Sequence, residues 1–279
     1  MYDNPIKSCL WYDGIALEAA QYYCSVFPNS KVLNIHHLVV EFELNGTRFM
    51  GLNAGSRFKF NPSFSFTALF DTIEQTNEIW GKLIEGGKAL MAIDKYEWSS
   101  RYGWLEDKYG MSWQITVAET TTDTQKIIPS LLFTDGMFGK AGEAIRFYTS
   151  VFPNSFVPLL VPFPEDDPNA GKVMYSEVKL NNHDLIAMDG VGAHGYAFNE
   201  AVSLVVDCNT QEEIDYYWNR LTEGGEESMC GWLKDRFGVF WQIVPAITGN
   251  LLSDPERGQR VMQEVLKMKK LDLNIMLNA

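Results

Sequence analysis

The chain alternates between a hydrophobic period of two and one near 3.6, which separates strands from helices. Residues 6–12 read as a strand that Asp13-Gly14 turns into a helix over 16–27, with Ala16, Ala19, Tyr23 and Val26 on one face. Pro28-Asn29 ends that helix. Residues 39–44 and 47–53 flank Asn45-Gly46, a two-residue hairpin signal, and Asn181-Asn182 holds the same place later in the chain. A strand over 64–70 follows, and Thr72-Ile73-Glu74-Gln75 then forms a capping box, as does Thr210-Gln211-Glu212-Glu213. The helices they open carry Thr76, Ile79, Trp80 and Leu83, and Ile214, Tyr217, Trp218 and Leu221; each ends at Gly-Gly. Residues 112–117 and 240–244 close the pattern as strands. Alternation also assigns faces. Phe64, Phe66, Ala68 and Phe70 oppose Ser65, Thr67 and Leu69; Trp113 and Ile115 oppose Ser112, Gln114 and Thr116; Val202, Leu204 and Val206 oppose Ser203 and Val205.

The pattern is written twice. Phe27-Pro28-Asn29-Ser30 returns as Phe152-Pro153-Asn154-Ser155, and Trp104-Leu105-Glu106-Asp107-Lys108-Tyr109-Gly110 returns as Trp232-Leu233-Lys234-Asp235-Arg236-Phe237-Gly238. The offset drifts between anchors, which marks a duplicated domain with unequal loops rather than a short-period solenoid. We expect a first domain over 1–118, a polar, threonine-rich linker over 119–126, a second domain over 127–247 and a helical extension over 248–279. In the extension, Asp254-Pro255 is expected to start a helix running to about residue 268. Function then rests either on two copies of one site or on a site built between copies.

At 279 residues with 46% hydrophobic and 13% aromatic content, the chain can bury a core in each copy. A net charge of −13, with no Lys/Arg stripe, argues against nucleic-acid binding. No apolar run approaches a membrane span, so no membrane partner is expected. Cys9, Cys24, Cys208 and Cys230 show no CxxC spacing and no match between copies. Reduced thiols and a cytoplasmic location are the expectation.

Each copy is two βαβββ modules, and with these residues the chain resembles the PhnB-like (demethylubiquinone 3-methyltransferase-like) family of the vicinal-oxygen-chelate, or glyoxalase/bleomycin-resistance, superfamily. The resemblance is carried by Asp13-Gly14 with Glu18-Ala19-Ala20 and Tyr22-Tyr23, by Asp135-Gly136 with Glu143-Ala144 and Phe147-Tyr148, and by the segments 198–203, 230–235 and 268–272. It implies an α+β fold in which each domain's two modules form a cupped mixed or antiparallel sheet with helices outside.

Enzymes of that superfamily hold a divalent metal in the cup with His, Gln or Glu from three strands. Those positions fall here on Ser8, Ser65 and Gln114, and on Ser130, Ser203 and Gln242. A neutral serine hydroxyl is a poor ligand for zinc, nickel or iron, and one glutamine cannot hold such an ion alone. We therefore expect no metal and no cofactor, and a small organic ligand held by these residues together with Trp104 and Trp232. The plainer alternative is that the polar groups bond one another in a filled barrel. A superfamily enzyme (lyase, isomerase, dioxygenase or thiol transferase) is the competing function.

Other motifs weigh less. Gly190-Val191-Gly192-Ala193-His194-Gly195 matches GxGxxG, but a strand, not a helix, is expected after it. The resemblance puts this stretch over the cup, within reach of a ligand at His194, while an ordinary exposed loop histidine is the favoured reading. His36-His37 reads as a surface pair, and Asp107 and Asp235 as turn residues before the last strand rather than general bases. Trp98 is a further candidate for the cup lining. No glycine-rich strand–helix turn for S-adenosylmethionine is present, so the name of the resembling family does not by itself imply methyl transfer. The duplication suggests either a monomer with an internal pseudo-dimer or a homodimer.

Overall fold

The computed structural model describes residues 5–118 and 127–279; the linker expected over 119–126 lies outside the described residues. The first copy holds β1 (Ile6–Tyr12), α1 (Ala16–Val26), β2 (Lys31–Ile35), β3 (Val39–Leu44) and β4 (Thr47–Asn53). It continues with β5 (Phe64–Phe70), α2 (Ile73–Leu83), β6 (Lys88–Tyr96), β7 (Ser99–Glu106) and β8 (Ser112–Val117). The second copy repeats the order: β9 (Ile127–Phe133), α3 (Ala141–Val151), β10 (Phe156–Pro162), β11 (Val173–Leu180) and β12 (His183–Asp189). Its second module is β13 (Val202–Cys208), α4 (Gln211–Leu221), β14 (Glu226–Glu227), β15 (Trp232–Lys234) and β16 (Phe240–Pro245), followed by α5 (Thr248–Ser253), α6 (Gly258–Val265) and α7 (Leu273–Asn278).

Local chemistry explains these boundaries. Asn45 and Gly46 both take positive φ, as do Asn181 and Asn182, which matches the twist of the hairpins they close. Thr72 accepts from the Gln75 N–H at 3.2 Å and Thr210 from the Glu213 N–H at 3.3 Å, while the Gln75 and Glu213 side chains reach back one residue past the N-cap, to the Asp71 and Asn209 N–H groups. A Cβ on Gly87 would lie 2.2 Å from the Glu106 carbonyl oxygen, and one on Gly225 equally close to that of Lys234. Only glycine fits where these turns meet the neighbouring strand.

The strands form two eight-stranded mixed sheets with the helices outside, an α+β architecture. One sheet runs β14-β15-β16-β13-β1-β4-β3-β2 and the other β10-β11-β12-β9-β5-β8-β7-β6. Each is therefore two βαβββ modules, one taken from each copy. The seams are the antiparallel pairs β1·β13 and β5·β9. A repeat is a unit of sequence and half of each sheet. We call them the β1/β13 cup and the β5/β9 cup.

The extension differs from expectation in detail. Asp254 caps the Glu256 and Arg257 N–H groups at 2.9 and 3.0 Å, and the helix starts at Gly258 rather than at Pro255. Its apolar residues Leu251, Val261, Val265, Leu271 and Met276 are buried together and pack against Cys230 and Val244. The N–H groups of Cys230 and Gly231 bond to the carbonyls of Met268 and Lys269, both at 2.7 Å. The extension thus docks at the short β14–β15 edge, where the first copy has the long β6–β7 hairpin.

Candidate functional site

Strand register sorts inward from outward side chains. In the β5/β9 sheet, Ser65 lies opposite Ser130, Thr67 opposite Gln114, and Trp104 opposite Gln114 from the other side. These share the face away from the buried Phe66, Trp113 and Leu131 that meets the helices. Gln114 Nε2 donates to Ser65 Oγ at 2.9 Å, and the Tyr102 hydroxyl donates to Gln114 Oε1 at 2.8 Å. Thr67 Oγ1 and Ser130 Oγ are 2.8 Å apart, and Ser130 Oγ donates to the Ile128 carbonyl at 3.2 Å. Trp104 Nε1 donates to Ser112 Oγ at 2.7 Å. Burial pushes the Tyr102 phenol upward, with Tyr96 and Tyr175 adding to it. It stays neutral and available for hydrogen bonding.

The β1/β13 cup keeps three of these residues. Gln242 Nε2 donates to Ser203 Oγ at 2.9 Å, and Trp232 lies opposite Gln242. Ser8 is a correction. It pairs with Leu204, on the helix side, while its neighbour Cys9 pairs with Ser203 and faces the cup. A one-residue shift turns every side chain of a strand to the other face. Burial pushes the Cys9 thiol up to about 12, with the Gln242 and Ser203 side chains pulling the other way. The groups that face one another are thus Cys9, Ser203 and Gln242 in one cup, and Ser130, Ser65 and Gln114 in the other. Ser65 and Gln114 share neither a sheet nor a cup with Ser8.

Sequence reasoning put Thr67 on the cup face without naming it among the ligand-binding residues, and it missed Tyr102 and Cys9. Tyr102 was within reach, because it shares strand parity with Trp104.

Asp107 and Asp235 lie away from both cups. Asp107 accepts from Tyr23 Oη (2.8 Å), Trp113 Nε1 (2.9 Å) and the N–H groups of Tyr109 and Met111. Asp235 does the same with Tyr148, Trp241, Phe237 and Val239. They are turn residues that also tie helix to sheet. Burial pushes the Asp235 carboxyl up to about 6 against these four donors, and Asp107 moves in the same direction. His36 and His37 sit ring to ring, with centroids 4.0 Å apart, beyond the end of β2. Trp98 is 62% exposed on the β6–β7 hairpin, stacked on Tyr96.

The segment 190–195 is irregular and leads into β13, so it opens no helix. Asp135 accepts from the His194 and Gly195 N–H groups at 3.0 and 2.9 Å, so a carboxylate already fills the place a phosphate would need. His194 Nδ1 is 3.1 Å from the Tyr196 hydroxyl, and its buried Nε2 has no partner. A cavity of about 460 Å³ lies near the outer end of the β1/β13 sheet among Lys7, Glu41, Arg48, His183 and Asp207. Lys7, Glu41, Arg48 and Asp207 share the inward face with Cys9, Ser203 and Gln242, which do not themselves line the cavity, and Lys7 there is ion-paired with Asp207 at 2.8 Å.

Neither donor set fits a divalent transition ion. Each offers one amide with hydroxyls or a buried protonated thiol, and the amide is already bonded. Among the described residues no three His, Cys, Asp or Glu side chains converge as a metal site.

A family profile described as 3-demethylubiquinone-9 3-methyltransferase matches residues 4–116 and again 125–244. The chain belongs to this family. A putative 3-demethylubiquinone-9 3-methyltransferase, PhnB protein, from Bacillus cereus is 32% identical over 40% of this chain and 98% of its own, with a TM-score of 0.39. Glyoxalase I from Zea mays covers 87% of this chain and 93% of its own at 9% identity, with a TM-score of 0.55. A point mutant of the same maize enzyme gives 11% identity, 87% and 95% coverage and a TM-score of 0.54. At that identity the likeness shows the fold, which is the glyoxalase/bleomycin-resistance fold. No curated protein matches the chain. For this member of the 3-demethylubiquinone-9 3-methyltransferase family, the glycine-rich segment gives no seat for a methyl-donor cofactor, since Asp135 occupies its N–H groups. No helix among the described residues is long and apolar enough to cross a membrane.

Proposed function

We propose that this protein binds a small organic molecule in a cup of the sheet, gripped by hydroxyl, amide and phenol groups and by aromatic faces, without a transition metal. The observation that carries this reading is the Tyr102–Gln114–Ser65 chain on the concave face of the β5/β9 sheet. It is uncharged, fixed by neighbours and bordered by Trp104, as small-molecule sites are. A superfamily enzyme would need a metal or a shifted acid in the cup; Asp235, pushed up to about 6, faces the helices, and Asp207, pushed up by burial at one end of the β1/β13 cup, is already paired with Lys7 at 2.8 Å. The free thiols of all four cysteines fit a cytosolic setting. The crossed pairing of the halves supports a monomer whose internal pseudo-dimer replaces a second subunit.

Isothermal titration of a broad metabolite panel against the folded full-length protein tests the reading. At least one binder tighter than millimolar is expected. Absence of any, or one equivalent of a transition metal retained by wild type and lost from Gln114→Ala, would sink it.

A further inference from the structure

The two cups hold equivalent positions that register identifies one by one. Thr67 corresponds to Val205, Ser112 to Phe240, Thr116 to Val244 and Ser130 to Cys9. Each of these differences replaces an oxygen donor or acceptor of the β5/β9 cup by carbon or sulfur in the β1/β13 cup. Two residues before each tryptophan, Tyr102 has as its counterpart in sequence Cys230, a turn residue that packs against the C-terminal extension, so the phenol is lost as well. The reverse exchange occurs nearer one end, where Lys7 and Asp207 replace Ile128 and Leu69 and bond to each other. The β1/β13 cup is also narrowed by aromatics. Trp11 meets Phe58 edge-on at 4.9 Å and Trp232 at 6.0 Å, and its Nε1 is tied to the Gly55 carbonyl at 2.6 Å.

The β5/β9 cup still has bonding capacity. Ser130 spends its proton on the Ile128 carbonyl, so Thr67 is the donor to Ser130 and its own lone pairs are unused. Ser65 accepts from Gln114 and keeps its proton, Gln114 keeps a second N–H, and Tyr102 keeps its lone pairs. Groups this buried are stabilised by further partners. Two cations on the same face are already taken: Lys88 pairs with Glu106 and Lys179 with Asp184. Ile128, Leu132, Ile186 and Met188 share the inward face with Trp104 and Tyr175. At the Leu132 end stands His194, with its unpartnered buried Nε2.

Resting on the binding reading above, we propose that the β5/β9 cup alone is the ligand site, and that it takes a neutral, ring-bearing molecule with a carbonyl or amide group. The ring lies against Trp104 and the apolar wall. The carbonyl accepts from Ser65 and Gln114, and a ligand N–H or O–H donates to Thr67 or Tyr102. Around Cys9, Ser203 and Gln242 the β1/β13 cup has become structural, and the charged cavity at its Lys7–Asp207 end is no part of this ligand site.

Ligand-observed fluorine NMR on the full-length protein at neutral pH tests this with three probes of one ring: 4-fluorobenzamide, 4-fluorobenzoate and 4-fluorobenzylamine. The benzamide is expected to bind best. Gln114→Leu and Tyr102→Phe should each weaken it about tenfold, the scale of a lost hydrogen bond with its partner left bare. Gln242→Leu should change it less than about twofold. Tyr102→Phe keeps the ring and guards against a folding failure of the leucine variant. A second readout is tryptophan fluorescence: the benzamide response should vanish in Trp104→Phe and persist in Trp232→Phe. Loss of binding in Gln242→Leu or Arg48→Ala, with Gln114→Leu unaffected, overturns the choice of cup while leaving the protein a binder. Benzoate or benzylamine binding more tightly than the amide, or silence from all three, overturns the ligand class, and the broad panel then decides whether anything binds at all.

Discussion

The helix-facing and inward-facing sides of the two sheets have diverged to different degrees. On the helix side the copies are nearly superimposable in chemistry: Tyr23 and Trp113 reach Asp107 at 2.8 and 2.9 Å, and Tyr148 and Trp241 reach Asp235 at 2.7 and 2.9 Å. On the inner side a serine has become a cysteine, Ser130 against Cys9, and a threonine a valine. Acceptor-only carboxylates facing four donors leave no freedom to vary, since any substitute strands buried N–H groups. The inner side lacks that constraint, and a duplicated cup can lose its polar groups once its twin does the binding. What stayed identical holds the fold; on the proposed reading, what drifted marks a division of labour.

The sharpest break of that comparison is removal of the shared carboxylates. Asp107→Ala and Asp235→Ala should each cost on the order of 4 kcal/mol, because several buried donors lose their acceptor at once. Urea unfolding measures both, and a cost under about 1 kcal/mol for either means the pair is not the clamp described here. Next comes pH. With its carboxyl raised to about 6, native Asp235 holds a proton between about pH 4 and 6 that the unfolded chain has released. Its contribution is therefore fully present below about pH 4 and falls away as pH rises through 6, by up to about 3 kcal/mol. A carbon-13 titration of this carboxyl should give a midpoint near 6; one near 3 would show that the four hydrogen bonds outweigh burial.

A smaller effect sharpens the inner-face contrast. Thr67→Val, which copies the β1/β13 cup into its twin, removes one donor to Ser130 and should lower stability by about 1 kcal/mol. It should also weaken 4-fluorobenzamide binding, whereas Val205→Thr should leave that binding unchanged. Equal responses of the two variants would erase the proposed difference between cups. Smallest of all, Trp98→Ala should shift the unfolding free energy by less than about 0.5 kcal/mol, since this ring is 62% exposed. A larger loss would make the β6–β7 hairpin part of the core.

Much of this was legible in the residues because two periodicities reinforced each other. The inward placement of Ser65, Gln114, Ser203 and Gln242 followed from strands whose bulky residues, Phe64, Phe66, Trp113 and Trp241, mark the helix side without ambiguity. Ser8 slipped because β1 is buried along both faces, and Cys9 and Leu10 are equally hidden. Such a strand carries little alternation to fix its register, and counting across a loop of unequal length moved it by one. The exchange of modules between copies was illegible for another reason. Edge chemistry does not say which of its three counterparts, β5, β9 or β13, β1 will join.

That exchange has a mechanical result. Because β1 zips to β13 and β5 to β9, the halves are clasped like two hands, and each hand alone holds only half of either bowl. Severing the connection between residues 118 and 127 should yield two fragments that recover a cup only together, as obligate mates. The same geometry lets a gene for one half serve as a twofold-symmetric dimer, so fusion can precede the specialisation of either bowl.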